Sequence, residues 1–242
     1  MDAIVIYAMA IIFLGSFIQT TIGFGMAIVS APLLLHLSAD YLPAPIIMVS
    51  LFTAMLTALH NRKSIEIGGL KMAIIGRIPG SVAGAWLLLY VSVSTLSLWL
   101  GIFVLISLAI SLLPIRIEPN PKRMAIAGFI SGFMGTSSGI GGPPIALLLQ
   151  HQEATRLRSN LAAFFLLSSI ISLIIQWAIG YLNINHLLLT LPLLPAAWAG
   201  NIVGQFSTKY LPQTLIRYLT LGLCFMAGLA AIYEGLSTAT LL

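Results

Sequence analysis

Apolar runs, most of them about 18–24 residues long, follow one another along nearly the whole chain with almost nothing charged between them. Charged residues make up 7% of the 242 positions and apolar ones 59%, and the mean hydropathy is +1.06. A soluble domain carries roughly a quarter charged residues. So few charges cannot coat a water-facing surface, so lipid is the main solvent. Only helices and closed barrels satisfy their backbone there. A barrel needs alternating segments of about 10 residues, polar toward the lumen. These runs are continuous, so the chain is an all-α polytopic membrane protein. Apart from Asp2 no charge precedes His36, so no basic region of a secretory signal opens the chain and the first run is expected to stay.

Five apolar segments fit the first half, roughly 3–22, 25–37, 43–60, 68–90 and 95–113. A charged, proline-rich stretch at 114–123 follows, then segments at roughly 124–137, 142–151, 157–180, 187–206 and 214–233. This divides the chain into a first membrane repeat (1–113), a cytoplasmic linker (114–123) and a second membrane repeat (124–242). In each half the first two segments form a broken or re-entrant pair rather than two clean spans. The interruptions are Gly23-Phe24-Gly25 and Gly139-Ile140-Gly141-Gly142-Pro143-Pro144. Three spanning helices complete each half, giving about 8–10 helical segments.

The halves superpose. A shift of 116 residues sets Phe17 on Phe133, Thr20 on Thr136, Thr21 on Ser137, Gly23 on Gly139 and Gly25 on Gly141. A shift of 120 later sets Gly80 on Gly200, Gly84 on Gly204 and Tyr90 on Tyr210, which implies about one extra helical turn in the second half. Lys and Arg mark cytoplasmic loops. They collect at His60-Asn61-Arg62-Lys63 with Lys71, in the linker with Arg116, Lys122 and Arg123, at Arg156 and Arg158, and at Lys209. Stretches 38–42, 91–94 and 181–185 carry none. With the basic loops inside, each half crosses an odd number of times. The repeats are then inverted and both termini lie outside. The net charge of +5 is thus topological, and nucleic acid is not expected as a partner. Cys224 is the only cysteine, so no internal disulfide forms.

Inverted repeats with broken helices place a substrate near the midplane. Freed N–H groups and the positive end of a half-helix suit an anion. Glycine lets a ligand approach the backbone, and proline suits a first turn. The second-half break supplies Thr136, Ser137, Ser138, Gly139, Gly141, Gly142 and Pro143 as candidate substrate-binding residues; the first-half break supplies Gln19, Thr20, Thr21, Gly23 and Gly25. Arg77 lies about 13 Å into a segment by helical rise. It either faces the cavity as a positive charge or snorkels to the basic end. Pro79 and Gly80 after it are expected to loosen the helix. No carboxylate lies deep in a segment, which disfavours a cation as substrate. Asn201 and Gln205 share a helix face that either lines a path or bonds a neighbouring helix, and packing is the reading preferred.

Gly135-Thr136-Ser137-Ser138-Gly139 matches the G-x-S-x-G pattern, but a nucleophile elbow needs a strand-to-helix turn in a soluble sheet and a histidine base at the same depth. An enzyme is not expected. No metal or cofactor is called for either.

Length, basic linker, Gly23-Phe24-Gly25 followed by Pro32-Leu33-Leu34, and above all Gly141-Gly142-Pro143-Pro144 resemble the sulfite exporter TauE/SafE family over essentially the whole chain. The resemblance implies a multi-pass transporter of a bacterial or archaeal cytoplasmic (inner) membrane, with sulfite, a sulfonate such as sulfoacetate, or a related small sulfur-containing organic anion as substrate. It maps the family's two motifs onto 19–25 and 136–144. The first half lacks the prolines, having Met26-Ala27-Ile28. The reading is a carrier working by alternating access between two broken helices. An anion channel using the same breaks as a filter is the alternative, and an intramembrane serine hydrolase a remote one. A coupling ion (H+ or Na+) and a homodimer are compatible with it.

Overall fold

A computed structural model describes residues 3–90, 93–112, 118–208, 210, 218, 221–222, 225–226, 228–233 and 236. Asp2, Arg116, Lys209, Cys224, Glu234, the start of the linker and nearly half of the segment expected at 214–233 lie outside the described residues. The described elements are helical: α1 (Ala3–Ile22), α2 (Met26–Leu37), α3 (Ala44–His60), α4 (Lys71–Leu88), α5 (Val93–Leu112), α6 (Pro121–Ser138), α7 (Pro143–Leu149), α8 (Ala154–Ala178), α9 (Ile184–Thr190) and α10 (Leu193–Ser207). Three 3-10 turns sit between them, at Ala39–Tyr41, Arg62–Ser64 and Ile67–Leu70.

Polarity runs inside out. Buried positions include Ser16, Ser30, Thr53, Ser81, Ser131, Thr136, Ser168, Ser172, Gln176 and Asn201. Exposed positions include Ile75, Ile78, Val82 and Trp86 on α4, and Ile170, Ile174 and Trp177 on α8. A water-soluble protein does not expose apolar area on this scale; a lipid-solvated one does. Among the described residues three helical stretches are long and apolar enough to cross a membrane, Ala3–Ile22, Ala39–His60 and Ala154–Ala178. The pair α9 and α10 makes a fourth if its 44° bend is counted as one span. The run read as one segment at 187–206 is therefore two helices meeting around Leu191 and Pro192. Proline removes one N–H and crowds the preceding turn, which accounts for the bend.

Both expected breaks are present, and both fold the chain back. α1 ends before Gly23 (φ +103), and α2 starts from Gly25 (φ +111), conformations that L side chains rarely adopt. Ser30 Oγ donates to the Ile11 carbonyl (3.3 Å), and Ser16 Oγ lies 3.6 Å from Met26 Sδ, so α2 returns antiparallel along α1. α6 ends on Gly139 (φ +83). Pro143 and Pro144 then open α7, which at seven residues is about 10 Å long and far too short to cross.

Close packing fixes the rest. A Cβ on Gly76 or Gly80 of α4 would lie 2.0 Å from the carbonyl oxygen of Ala125 or Phe129 on α6, and one on Gly84 2.4 Å from that of Phe133. These pairs advance together, so α4 and α6 are parallel and touch backbone to backbone. α10 meets α1 in the same way: a Cβ on Gly200 would sit 2.3 Å from the Phe13 carbonyl oxygen, and one on Gly204 3.0 Å from that of Phe17. In lipid, such contacts between small residues stand in for the hydrophobic effect. α4 runs unbroken through Pro79 and Gly80. The expected loosening is not found, because α6 splints that stretch of α4.

Two tertiary contacts mark the ends of the molecule. Glu66, after α3, pairs with Arg156 at the start of α8, and its N–H donates to Asn160 Oδ1 (2.8 Å). At the opposite end Tyr181 Oη donates to the Leu42 carbonyl (2.9 Å). Two basic loops thus meet at one end, and two stretches lacking Lys and Arg meet at the other.

Candidate functional site

The two breaks come together in the interior. A Cβ on Gly142 would lie 3.3 Å from Phe24 Cβ, and one on Gly139 3.9 Å from Ala27 Cβ. Around this junction is a cavity of about 30 Å3, lined by Gln19, Gly25, Arg77, Gly139, Gly141 and Gly142 from the sequence-derived set. Gly135, Phe165, Ser168 and Ser169 also face it. No described hydrogen bond uses the N–H of Phe24, Gly25, Gly141 or Gly142, so the breaks leave backbone donors unspent.

Arg77 is the strongest charge at the site. It is 4% exposed, so it does not snorkel. Its guanidinium passes between two glycines: a Cβ on Gly135 would lie 2.7 Å from Nη2, and one on Gly141 3.0 Å from Nη1. Nη1 donates to the carbonyl (2.9 Å) and hydroxyl (2.7 Å) of Ser131, Nη2 to Ser172 Oγ (3.1 Å), and Nε to the Ser168 carbonyl (3.4 Å). The Phe164 ring lies 5.6 Å below it. Every partner is neutral. Among the described residues no carboxylate pairs with Arg77, and Asp40, Glu66, Glu118 and Glu153 are all exposed. A buried cation is costly without an anion to compensate it.

A polar chain continues from Ser172. Its hydroxyl shares a hydrogen bond with Thr136 Oγ1 (2.8 Å), and Gln176 Nε2 donates to the Thr136 carbonyl (2.8 Å). Gln176 Oε1 is buried and has no partner among the described residues.

Other sequence-derived residues sit near the breaks but face elsewhere. Thr20 Oγ1 accepts from Asn201 Nδ2 (2.8 Å), which also donates to Thr57 Oγ1 (2.9 Å), while Gln205 Nε2 donates to Asn201 Oδ1 (2.6 Å). This is the helix-to-helix role expected of that face. Thr21, Ser137 and Ser138 turn their hydroxyls back onto carbonyls one turn earlier, at Phe17, Phe133 and Met134. Gly23 packs against Arg158 and Leu161. Pro143 is buried at the start of α7.

Sequence reasoning missed Ser131, Ser168, Ser172 and Gln176. The signal was available: Ser168, Ser172 and Gln176 recur every four residues in an otherwise apolar span, which puts them on one face of α8.

A family model described as Sulfite exporter TauE/SafE matches residues 8–231. Among curated proteins the chain is similar to the probable membrane transporter protein YunE of Bacillus subtilis (strain 168), 27% identical over 263 aligned positions that cover 90% of this chain and 94% of that one. No solved structure matches it.

Proposed function

The chain belongs to the sulfite exporter TauE/SafE family, and on that premise we propose that this membrane transporter carries a small sulfur-containing anion, sulfite or a sulfonate such as sulfoacetate, through a site beside Arg77. The observation that carries the reading is the Arg77 guanidinium, buried at the cavity wall with only neutral partners. An oxyanion would supply the missing counter-charge. The one Nη2 hydrogen that Ser172 leaves free, the unspent N–H groups of Gly25, Gly141 and Gly142, and the hydroxyls of Ser168 and Ser169 would share its oxygens.

A cavity of about 30 Å3 has room for only one or two water-sized guests. Substrate entry therefore requires the walls to separate, which suits alternating access better than an open filter. The proposed architecture is a pair of inverted repeats, 1–113 and 124–242, joined by a linker at 114–123. Crosswise packing supports it: Gly80 meets Phe129 and Gly84 meets Phe133, while Gly200 meets Phe13 and Gly204 meets Phe17. The glycines are 120 residues apart and the phenylalanines 116, the two shifts read from the sequence. Taking the Glu66–Arg156 end as cytoplasmic by its excess of Lys and Arg, α8 would run outward, α10 inward, and α1 parallel to α10, which supports the reading of an N-terminus outside.

Counterflow separates a carrier from a channel. Proteoliposomes preloaded with unlabelled sulfite should accumulate labelled sulfite above equilibrium, and the uptake should saturate. Non-saturating flux without accumulation would favour the channel. No sulfite or sulfonate flux in either format would contradict the reading.

A further inference from the structure

Arg158 is the second cation at the breaks, and the anion site described above leaves it unused. It is half-buried on α8 and lies against the first-half break, where a Cβ on Gly23 would sit 3.3 Å from both its Cα and its Cγ. Its donors are poorly satisfied. Nη1 reaches the Thr21 carbonyl at 3.4 Å and Nη2 reaches Thr155 Oγ1 at 3.5 Å, both at the weak limit for such bonds. Glu153, just over one turn earlier, uses its carboxylate to cap α8 through the N–H groups of Thr155 (3.0 Å) and Arg156 (3.2 Å). Among the described residues Arg158 makes no ion pair.

Arg158 and Arg77 are linked by one face of α8. Arg158, Phe165 and Ser172 follow at seven-residue intervals, close to two helical turns each. Ser168 and Ser172 hold Arg77, so the two cations are attached to α8 about 15–21 Å apart by helical rise. Phe24 and Phe165 lie between them. Phe24 directly follows Gly23, which Arg158 touches, and on its other side abuts Gly142 in the cavity wall. A Cβ on Gly142 would also meet Phe165 Cζ at 3.3 Å, and Phe165 is 8% exposed. The order along the interior is cation, aromatic pair, cation.

We propose that Arg158 forms an outer oxyanion subsite at the Glu66–Arg156 end of the molecule, and that Phe24 and Phe165 are the gate between it and the Arg77 cavity. An anion arriving from that end is desolvated first against the Arg158 guanidinium, and passes to Arg77 when the aromatic pair parts. The inference rests on the anion-carrier reading and assigns that carrier a sided entrance. Its chemistry selects a compact oxyanion with at least two oxygens for the guanidinium fork.

Sided kinetics test it. In proteoliposomes of determined orientation, Arg158→Gln should raise the sulfite KM about tenfold or more from the Glu66–Arg156 side, leaving the KM from the opposite side and the maximal rate within about twofold. Arg158→Lys, which keeps the charge and loses the fork, should fall between, and it serves if the glutamine variant fails to fold. Phe24→Ala should let sulfite leak without saturation. A KM that is unchanged on both sides, or raised equally on both, would overturn the proposal, as would a Phe24→Ala protein that still saturates normally. Equilibrium sulfite binding keeps the two readings apart. If Arg77→Gln abolishes binding and the Arg158 variants show no sided effect, only the entrance fails. If Arg77→Gln binds normally, the anion site itself is misplaced.

Discussion

Arg77 Nη1 donates to both the carbonyl oxygen (2.9 Å) and the hydroxyl (2.7 Å) of Ser131, and that hydroxyl in turn donates to the Gly141 carbonyl in the second-half break. One serine thus ties the buried cation to the glycine turn, so the guanidinium and the break are held as a unit. Ser131→Ala removes the hydroxyl and leaves a buried Gly141 carbonyl without it. The expected cost is about 1–3 kcal/mol in stability, and sulfite affinity should fall as Arg77 loses its anchor. Thermal melts in detergent, with and without sulfite, measure both.

The glycine seam between α4 and α6 predicts a sharp contrast. A Cβ on Gly80 would lie 2.0 Å from the Phe129 carbonyl oxygen, a backbone atom that cannot rotate away. Gly68 has nothing within 4 Å of its added Cβ. Gly80→Ala should force the helices apart and cost about 1–3 kcal/mol or more, whereas Gly68→Ala should be near neutral. Yield of monodisperse protein and melting temperature distinguish them.

Gly139 needs both its conformation and its space. Its φ is +83, and a Cβ would sit 2.7 Å from Ile46 Cγ2. Gly139→Ala should cost about 1–2 kcal/mol from the backbone alone. Because Gly139 lines the cavity, flux should fall more than stability explains. Gly180 also has a positive φ (+75) but nothing within 4 Å of an added Cβ, so Gly180→Asn should fold and transport almost normally.

The start of α8 predicts a pH dependence. Backbone hydrogen bonds from Thr155 and Arg156 hold the Glu153 carboxyl below its ordinary value. A folded value lowered in this way stabilises the protein above the ordinary carboxylate value, and the contribution is lost as pH falls through the lowered one. Acid should therefore loosen the α8 start, and Glu153→Gln should remove that part of the acid sensitivity. Hydrogen exchange at residues 154–158 between neutral and acidic pH reads it out.

What the sequence made legible follows from where its signals are local. Gly23, Gly25 and Gly139 announce the breaks because few other residues take those backbone angles, and Pro143-Pro144 announces a helix start. Arg77 stood out as a charge inside an apolar run, although only the folded chain reveals that it turns inward. Thr20 looked like a ligand for the same reason as Thr136. Its partner Asn201 is 181 residues away, a distance no local pattern bridges. The serines of α8 were passed over because serine is unremarkable in membrane helices until an arginine 91 to 95 residues away is found bonded to them. The bend at Pro192 lies in a run whose hydropathy does not drop, and in sequence Arg158 carries no signal beyond sidedness.

Sulfite binding to the purified protein tests the central claim most directly. Isothermal titration of the unmodified chain should give saturable binding. Arg77→Gln should lower the affinity by at least about tenfold, read on protein shown to be folded, because its loss also takes a donor from Ser131, Ser168 and Ser172. Sulfite binding that is undiminished in a folded Arg77→Gln protein would contradict the account.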